Sequence, residues 1–258
     1  MNDALVEKKW DYSKQARFYS YRPSYYVRAI DALIAYVGGK ADHQVVDIGA
    51  GTGNLSIMLL ERGLQIVSIE PNDAMREIGI KRSSHLERIR WIRATGTETT
   101  LADRSSDWIT FGSSLSAMDS YLAMKETYRI LKDDGFFTCI GNHIDFNDPI
   151  SKLAEAVIVS VILDYESGVR RDWGQTIEAS NLFQDVFYFE ANVSYEQTID
   201  RYVNAWRSVR NPYWDLATPE GQALFEQIVD RLRSEMPETF TMRYITRAWT
   251  AQKRAGGD

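Results

Sequence analysis

Three glycines alternate in Gly49-Ala50-Gly51-Thr52-Gly53, directly after the apolar run Val45-Val46-Asp47-Ile48. Glycines let a backbone take positive φ and approach a ligand closely. A helix starting there offers unpaired N–H groups. The next apolar run ends at Glu70, 17 residues after Gly53, where a carboxylate can accept both hydrogen bonds of a ribose diol. Asn72, Asp73 and Met75 follow, and the Met75 thioether suits an adenine face. Gly96-Thr97-Glu98 offers a polar side chain and backbone N–H to an adenine edge. Gly112-Ser113-Ser114 consists of small residues that leave space under a ligand's reacting end.

Two nucleotide chemistries fit such a layout. Dinucleotide oxidoreductases favour G-x-G-x-x-G around a pyrophosphate. Here the glycines are spaced G-x-G-x-G, and the sixth position is Asn54. Asp47 adds negative charge beside the turn. That charge opposes a pyrophosphate and suits an ammonium or sulfonium cation.

These residues need a scaffold, and the periodicity supplies one. Short apolar strands are expected at 45–48, 65–70, 90–93, 107–111 and 136–140. Helices are expected at 24–37, 55–61, 73–81 and 122–131. Alternating strands and helices with short connections imply a parallel sheet covered on both faces, an α/β doubly wound fold. Ligands in such sheets sit outside the carboxyl ends of the strands. After Pro149 the rhythm changes. The pattern predicts a helix at 150–165, a polar segment at 166–180, a strand at 186–193, helices at 195–209 and 220–235, and a strand at 239–252. The two late strands read as a pair closing the sheet edge.

The chain has 258 residues, 44% hydrophobic and 26% charged, with a net charge of −6. That suits one α/β domain over 1–258. Its basic residues are scattered, which argues against nucleic acid as a partner. Apolar stretches such as Val161-Ile162-Leu163 are too short to span a bilayer, and the start lacks a basic and apolar leader. The expectation is a cytoplasmic protein without a membrane partner. Cys139, the single cysteine, leaves no partner for an internal disulfide and no cysteine zinc cage. No metal site is expected.

The run Val45 to Gly53 resembles the first motif of the class I S-adenosylmethionine-dependent methyltransferases, and Ile69-Glu70-Pro71-Asn72-Asp73-Ala74-Met75 resembles their acidic-loop motif. Ser106-Asp107-Trp108-Ile109 and Leu131-Lys132-Asp133-Asp134-Gly135-Phe136-Phe137 are similar to their fourth- and fifth-strand signatures. The aromatic leader Tyr12 to Pro23 and the segment from Tyr195 to Lys253 also resemble the family. The resemblance implies a Rossmann-like, seven-stranded, mostly parallel sheet in order 3-2-1-4-5-7-6, strand seven antiparallel. It implies S-adenosylmethionine as cofactor, S-adenosylhomocysteine as product, and a methyl group passed to a small molecule. Glu70 would hold the ribose. Pro71, Met75, Thr97 and Glu98 would contact the adenine. The methionine part would lie near Gly49, Ala50, Gly51, Asn54, Ser113 and Ser114, above Asp47. Tyr12, Tyr19 and Arg22 would lie over the cofactor, with Arg22 toward its carboxylate and a tyrosine face toward the sulfonium.

Relatives often carry His-Trp soon after strand four, where this chain has Leu115-Ser116-Ala117-Met118-Asp119. Methyl transfer mainly requires positioning, and a base only for a hydroxyl or protonated amine. His143, after strand five, is the candidate base. His43 and His85 fall at the wrong places. Residues 1–23 read as a lid and 146–181 as a small helical cap, in which Arg170, Arg171 and Trp173 could meet an anionic or aromatic substrate. The expected activity is O-methylation in secondary or cofactor metabolism, by a monomer or homodimer. Alternatives are a methyltransferase of tRNA or protein, a non-catalytic cofactor-binding protein, and a nicotinamide enzyme.

Overall fold

A computed structural model describes residues 12–168 and 171–256. Residues 1–11 of the expected lid, and Arg170 of the expected cap, lie outside them. Strands β1 (Gln44–Ile48) and β2 (Gln65–Ile69) are buried along nearly their whole length, as parallel strands covered on both faces must be. Strands β3 (Ile89–Ile92), β4 (Ser106–Gly112) and β5 (Leu131–Ile144) continue the parallel sheet. Strands β6 (Phe183–Thr198) and β7 (Thr239–Lys253) pair antiparallel, and β7 inserts between β5 and β6. The order is β3-β2-β1-β4-β5-β7-β6, the order implied by the family resemblance.

Helices α1 (Val27–Tyr36) and α2 (Asn54–Leu60) bury Ile30, Leu33, Leu55 and Leu59 on one face of the sheet. On the other face, α4 (Ser120–Ile130) buries Ala123, Met124 and Ile130. Helix α3 (Asp73–Ser83) packs on β3 through Gly79, where an added Cβ would lie 2.2 Å from the Trp91 ring. A third apolar cluster joins α5 (Pro149–Val161), α7 (Ile199–Arg207) and α8 (Pro219–Glu235) to the first half of β7. Asp148 caps α5 by accepting from the Ile150 and Ser151 N–H groups, with Pro149 in the first turn.

Four expectations change. Strand β5 runs to Ile144 because β7 pairs with it through His143↔Ile245 and Ile144↔Tyr244; His143 is therefore a strand residue and not part of a following loop. Residues 195–198 are strand and not helix. They continue a period-two alternation, with Tyr195 opposite Met242 and Gln197 opposite Phe240. The helix begins only after Thr198, whose hydroxyl accepts from the Arg201 N–H. The polar segment at 166–180 contains a short helix, α6 (Trp173–Ala179), with Ile177 fully buried. The leader holds a 3-10 helix at Ala16–Tyr21.

Candidate functional site

The glycine turn sits at the carboxyl end of β1, and neighbouring side chains hold it in place. Gly49 has φ +67°, and a Cβ there would lie 2.6 Å from Ser114 Cβ. Ser114 is buried and donates to the Ile48 carbonyl at 2.5 Å. Glu70, also buried, accepts from the Gly51 N–H and the Asn72 N–H, both at 2.8 Å. Burial raises its carboxyl pKa, and those two backbone donors oppose the rise. Each oxygen keeps a lone pair for a further donor. From the outer side, Arg82 donates to the Thr52 carbonyl at 2.7 Å and to Asn54 Oδ1 at 2.6 Å. The Asn54 side chain is thus part of a clamp on the turn.

Asp47 is fully buried and accepts from Ser56 Oγ at 2.5 Å and Thr110 Oγ1 at 3.1 Å. Burial pushes its carboxyl up to about 6 despite those hydroxyls, so it is mostly ionised at neutral pH. Its charge lies under the turn, where a cation is favoured.

A cavity of about 470 Å³ opens from this turn. Tyr19, Arg22, Asp47, Gly49, Ala50, Gly51, Asn54, Ser113 and His143 line it. Seven other residues expected at the site stand outside its lining: Tyr12, Glu70, Pro71, Met75, Thr97, Glu98 and Ser114. Most of these occupy the far side of the turn, around the ends of β2 and β3. Met75 is buried, Pro71 and Glu98 are exposed, and Thr97 Oγ1 lies 3.2 Å from Thr95 Oγ1. The Tyr12 and Tyr19 rings meet edge to face at 6.4 Å. Arg22 donates to Ser208 Oγ at 2.7 Å and to the Ser208 carbonyl at 2.9 Å, with its guanidinium 4.1 Å over the Tyr19 ring. It ties the leader to the end of α7.

Around the expected reacting centre, the Tyr25 hydroxyl lies 3.2 Å from Ser113 Oγ. Burial pushes the Tyr25 phenol up to about 12, so it stays protonated. His143 Nε2 and Ser113 Oγ lie 3.3 and 3.5 Å from the point where a Cβ on Gly141 would sit. Asn142 bridges elements, donating to the Ser24 carbonyl at 2.7 Å and accepting from Thr246 Oγ1 at 2.6 Å.

The rest of the cavity wall comes from late in the chain. Helix α5 contributes Ser151, Glu155 and Ile158, and Tyr165, Tyr202, Trp206, Tyr213 and Tyr244 supply aromatic surface. Tyr25, Asn142, Ser151 and Glu155 were not foreseen from sequence. The spacing of Ser151, Glu155 and Ile158 at i, i+4 and i+7 was a usable signal. Arg171 and Trp173 are not part of the lining; the Arg171 guanidinium sits 4.9 Å over the Trp173 ring, and Trp173 packs against the core. The stretch Leu115 to Asp119 is structural: Leu115 is buried, Met118 lies against Gly96, and Asp119 caps α4. Among the described residues, no cluster of His, Cys, Asp or Glu could hold a metal ion, and no helix is long and apolar enough to cross a membrane.

Residues 46–139, from β1 to β5, match a family model described as a methyltransferase domain. An uncharacterised methyltransferase of Mycobacterium tuberculosis is 32% identical over 124 residues, 48% of each chain. Over these residues the chain is similar to methyltransferase domains. A demethylmenaquinone methyltransferase of Staphylococcus aureus is 27% identical over 108 residues, 40% of this chain and 45% of that one. The chain spans about half the length of the curated relatives it matches. Among solved structures, the YcgJ protein of Bacillus subtilis shares the fold with a TM-score of 0.57 at 18% identity, over 90% of this chain and 100% of that one. A geranyl diphosphate C-methyltransferase of Streptomyces coelicolor, in complex with S-adenosyl-L-homocysteine, has a TM-score of 0.50 at 14% identity, covering 88% and 76%. The matched sequence carries the glycine turn, Glu70 and Ser113, and stops before His143 and the aromatic wall.

Proposed function

We propose that this chain transfers the methyl group of S-adenosylmethionine to a hydroxyl of a small molecule. One observation carries the reading: a single cavity is lined by Gly49, Ala50 and Gly51 and also by His143 and an aromatic wall. A donor and an acceptor can therefore share one cavity. The turn fits the cofactor's methionine end. Its glycines face the cavity, and a Cβ on Gly51 would meet only Tyr19 Cε1, at 3.9 Å.

When bound, the cofactor supplies an electrophilic methyl group on a positive sulfur. The acceptor oxygen bonds to that carbon as the carbon–sulfur bond breaks. The protein's work is orientation. Gly49 and Gly51 expose backbone at the turn, and Glu70 holds Gly51 in place while offering its remaining lone pairs to a ribose. Asp47 supplies negative potential beneath the positive end. Tyr19 offers a ring face. Ser113, fixed by Tyr25, borders the space where the acceptor approaches. His143 receives the hydroxyl proton as general base.

Calorimetry with S-adenosylhomocysteine tests the cofactor assignment; saturable binding is expected, and its absence overturns the reading. Incubation with methyl-labelled cofactor and fractionated cell extract tests the acceptor. Label is expected among small molecules, and label confined to RNA or protein would refute the small-molecule assignment.

A further inference from the structure

Two polar groups on the cavity wall have no task in the transfer step. Ser151 and Glu155 stand one turn apart on the cavity face of α5. Ser151 is 5% exposed, and its Oγ is buried without a hydrogen-bond partner. Glu155 is half-buried, and Ser167 Oγ donates to its Oε1. Among the described residues, it has no cationic partner. A carboxylate on the cavity wall with a single hydroxyl donor has acceptor capacity left for a cationic ligand.

The surroundings favour a cation. Tyr165 and Tyr213 lie with ring centroids 5.0 Å apart and planes tilted by 54°, and Tyr202 and Trp206 meet edge to face at 6.2 Å. All four border the cavity. Aromatic faces attract ammonium groups, the more so when desolvated.

Charge is also divided along the cavity. Arg22 and Arg210 both line it. Burial raises the Tyr12 phenol, and these two arginines oppose that rise, which places them by the leader and the glycine turn. Burial raises Tyr165 and Tyr202 as well, and there Glu155 adds to the effect. The turn end thus sets Arg22 beside the carboxylate of Asp47, whereas Glu155 at the α5 end has no cation beside it among the described residues. Glu166 and His143 also border the cavity, and the Glu166 N–H donates to the Tyr213 hydroxyl at 2.9 Å.

We infer that the methyl acceptor carries a protonated amine, held by Glu155 and Ser151 inside the wall of Tyr165, Tyr202, Trp206 and Tyr213. An ammonium has three donors. It can satisfy the carboxylate and the hydroxyl together, since residues four apart on a helix are about 5–6 Å apart at Cβ. A substrate with a carboxylate at this end would meet like charge. That the ligand is a methyl acceptor rests on the proposed function; that the pocket selects an amine does not.

The test uses the full chain saturated with S-adenosylhomocysteine and three phenolic probes: tyramine, 4-ethylphenol and 3-(4-hydroxyphenyl)propionate. Calorimetry is expected to rank tyramine first, about tenfold or more over the propionate. Glu155→Gln should erase that preference. Ser151→Ala should weaken tyramine about threefold without lowering the melting temperature, because the lost hydroxyl has no partner in the fold. Should Glu155→Gln melt early, Glu155→Asp keeps the charge and must keep the preference. Equal or tighter binding of the propionate, no saturable tyramine binding, or an unchanged preference in Glu155→Gln overturns the inference. An amine preference without any S-adenosylhomocysteine binding, measured on unsaturated protein, would refute the methyl-transfer reading and leave the amine pocket standing.

Discussion

The two ends of the cavity treat their polar groups in opposite ways. At the glycine turn, nearly every polar atom is committed to the protein: Asp47 to Ser56 and Thr110, Glu70 to Gly51 and Asn72, Asn54 to Arg82, Ser114 to Ile48. At the α5 end, Ser151 Oγ has no partner and Glu155 has only a hydroxyl. The first end is a preorganised cradle whose geometry is fixed before a ligand arrives. The second is a set of aromatic surfaces and unspent groups that a ligand completes. The family match covers residues 46–139 and so includes the cradle only. In the proposed function the first end would hold the methyl donor and the second would select the acceptor.

The comparison breaks most visibly at Gly49. Gly49→Ala adds a Cβ 2.6 Å from Ser114 Cβ on a backbone with φ +67°. The positive φ alone costs about 1–3 kcal/mol, and the turn must shift. Loss of S-adenosylhomocysteine affinity by about a hundredfold is expected by calorimetry. Adding Ser114→Gly should recover part of it, because the clash goes while the φ penalty stays. Full affinity in Gly49→Ala would show that the cradle is not the binding element.

His143→Gln comes next. A positioned base contributes typically about 10²–10⁴-fold, so turnover should fall by about that range while cofactor affinity stays within about twofold. Equal losses in both would assign His143 to the cradle.

The fold was legible from β1 to β5 because each strand is a short apolar run ended by glycine, proline or a charge. It was less legible after Pro149, where antiparallel pairing replaces the βαβ rhythm. Tyr195 to Thr198 carries a helix-compatible pattern, and only its register against β7 makes it strand. The same pairing carries His143 into β5. Candidate residues near the turn could be read from sequence because they are local to it. Tyr25, Ser151, Glu155 and Tyr244 were missed because they meet only through tertiary contacts, more than a hundred residues apart in the extreme pairing. Asp47 was expected from sequence as a negative charge at the turn, whereas its hydroxyl partners, from α2 and β4, were not readable there.

Asp47 also gives a pH test of the cradle. Its folded carboxyl titrates at about 6, against 3.8 as the ordinary value. The fold therefore prefers the protonated acid. That contribution is full below the unfolded value and is lost as pH rises through the folded one. Asp47→Asn does not titrate. Its stability relative to the parent should improve by about 3 kcal/mol between pH 3.5 and 7, read from denaturant unfolding at each pH. A gap that stays constant across this range would mean that Asp47 is not the strained acid described here.

Arg82 sets a smaller effect. It holds the Thr52 carbonyl and Asn54 from outside the cavity. Arg82→Ala removes charge-assisted bonds worth about 1.5–3 kcal/mol each at most, partly replaced by water. Cofactor affinity should fall about three- to tenfold, with no change in the amine preference at the other end. A change in that preference would show that the two ends are coupled.

The smallest effect is expected at Glu98, and it separates a resemblance from a contact. The family resemblance assigns Glu98 to the adenine, yet the side chain is exposed and stands outside the cavity lining. An exposed polar contact competes with water and nets little, about 0.5–1.5 kcal/mol at the most. The backbone at this place is more constrained than the side chain: Thr95 bridges to Glu98, and a Cβ on Gly96 would meet Ile48 Cγ2, on the buried end of β1, at 2.8 Å. Recognition of an adenine edge here would thus fall to backbone N–H groups. Glu98→Ala should change S-adenosylhomocysteine affinity by less than about twofold, while Gly96→Ala, which displaces that backbone, should cost about tenfold. The reverse ranking in calorimetry would give Glu98 the direct role and the loop backbone only a supporting one.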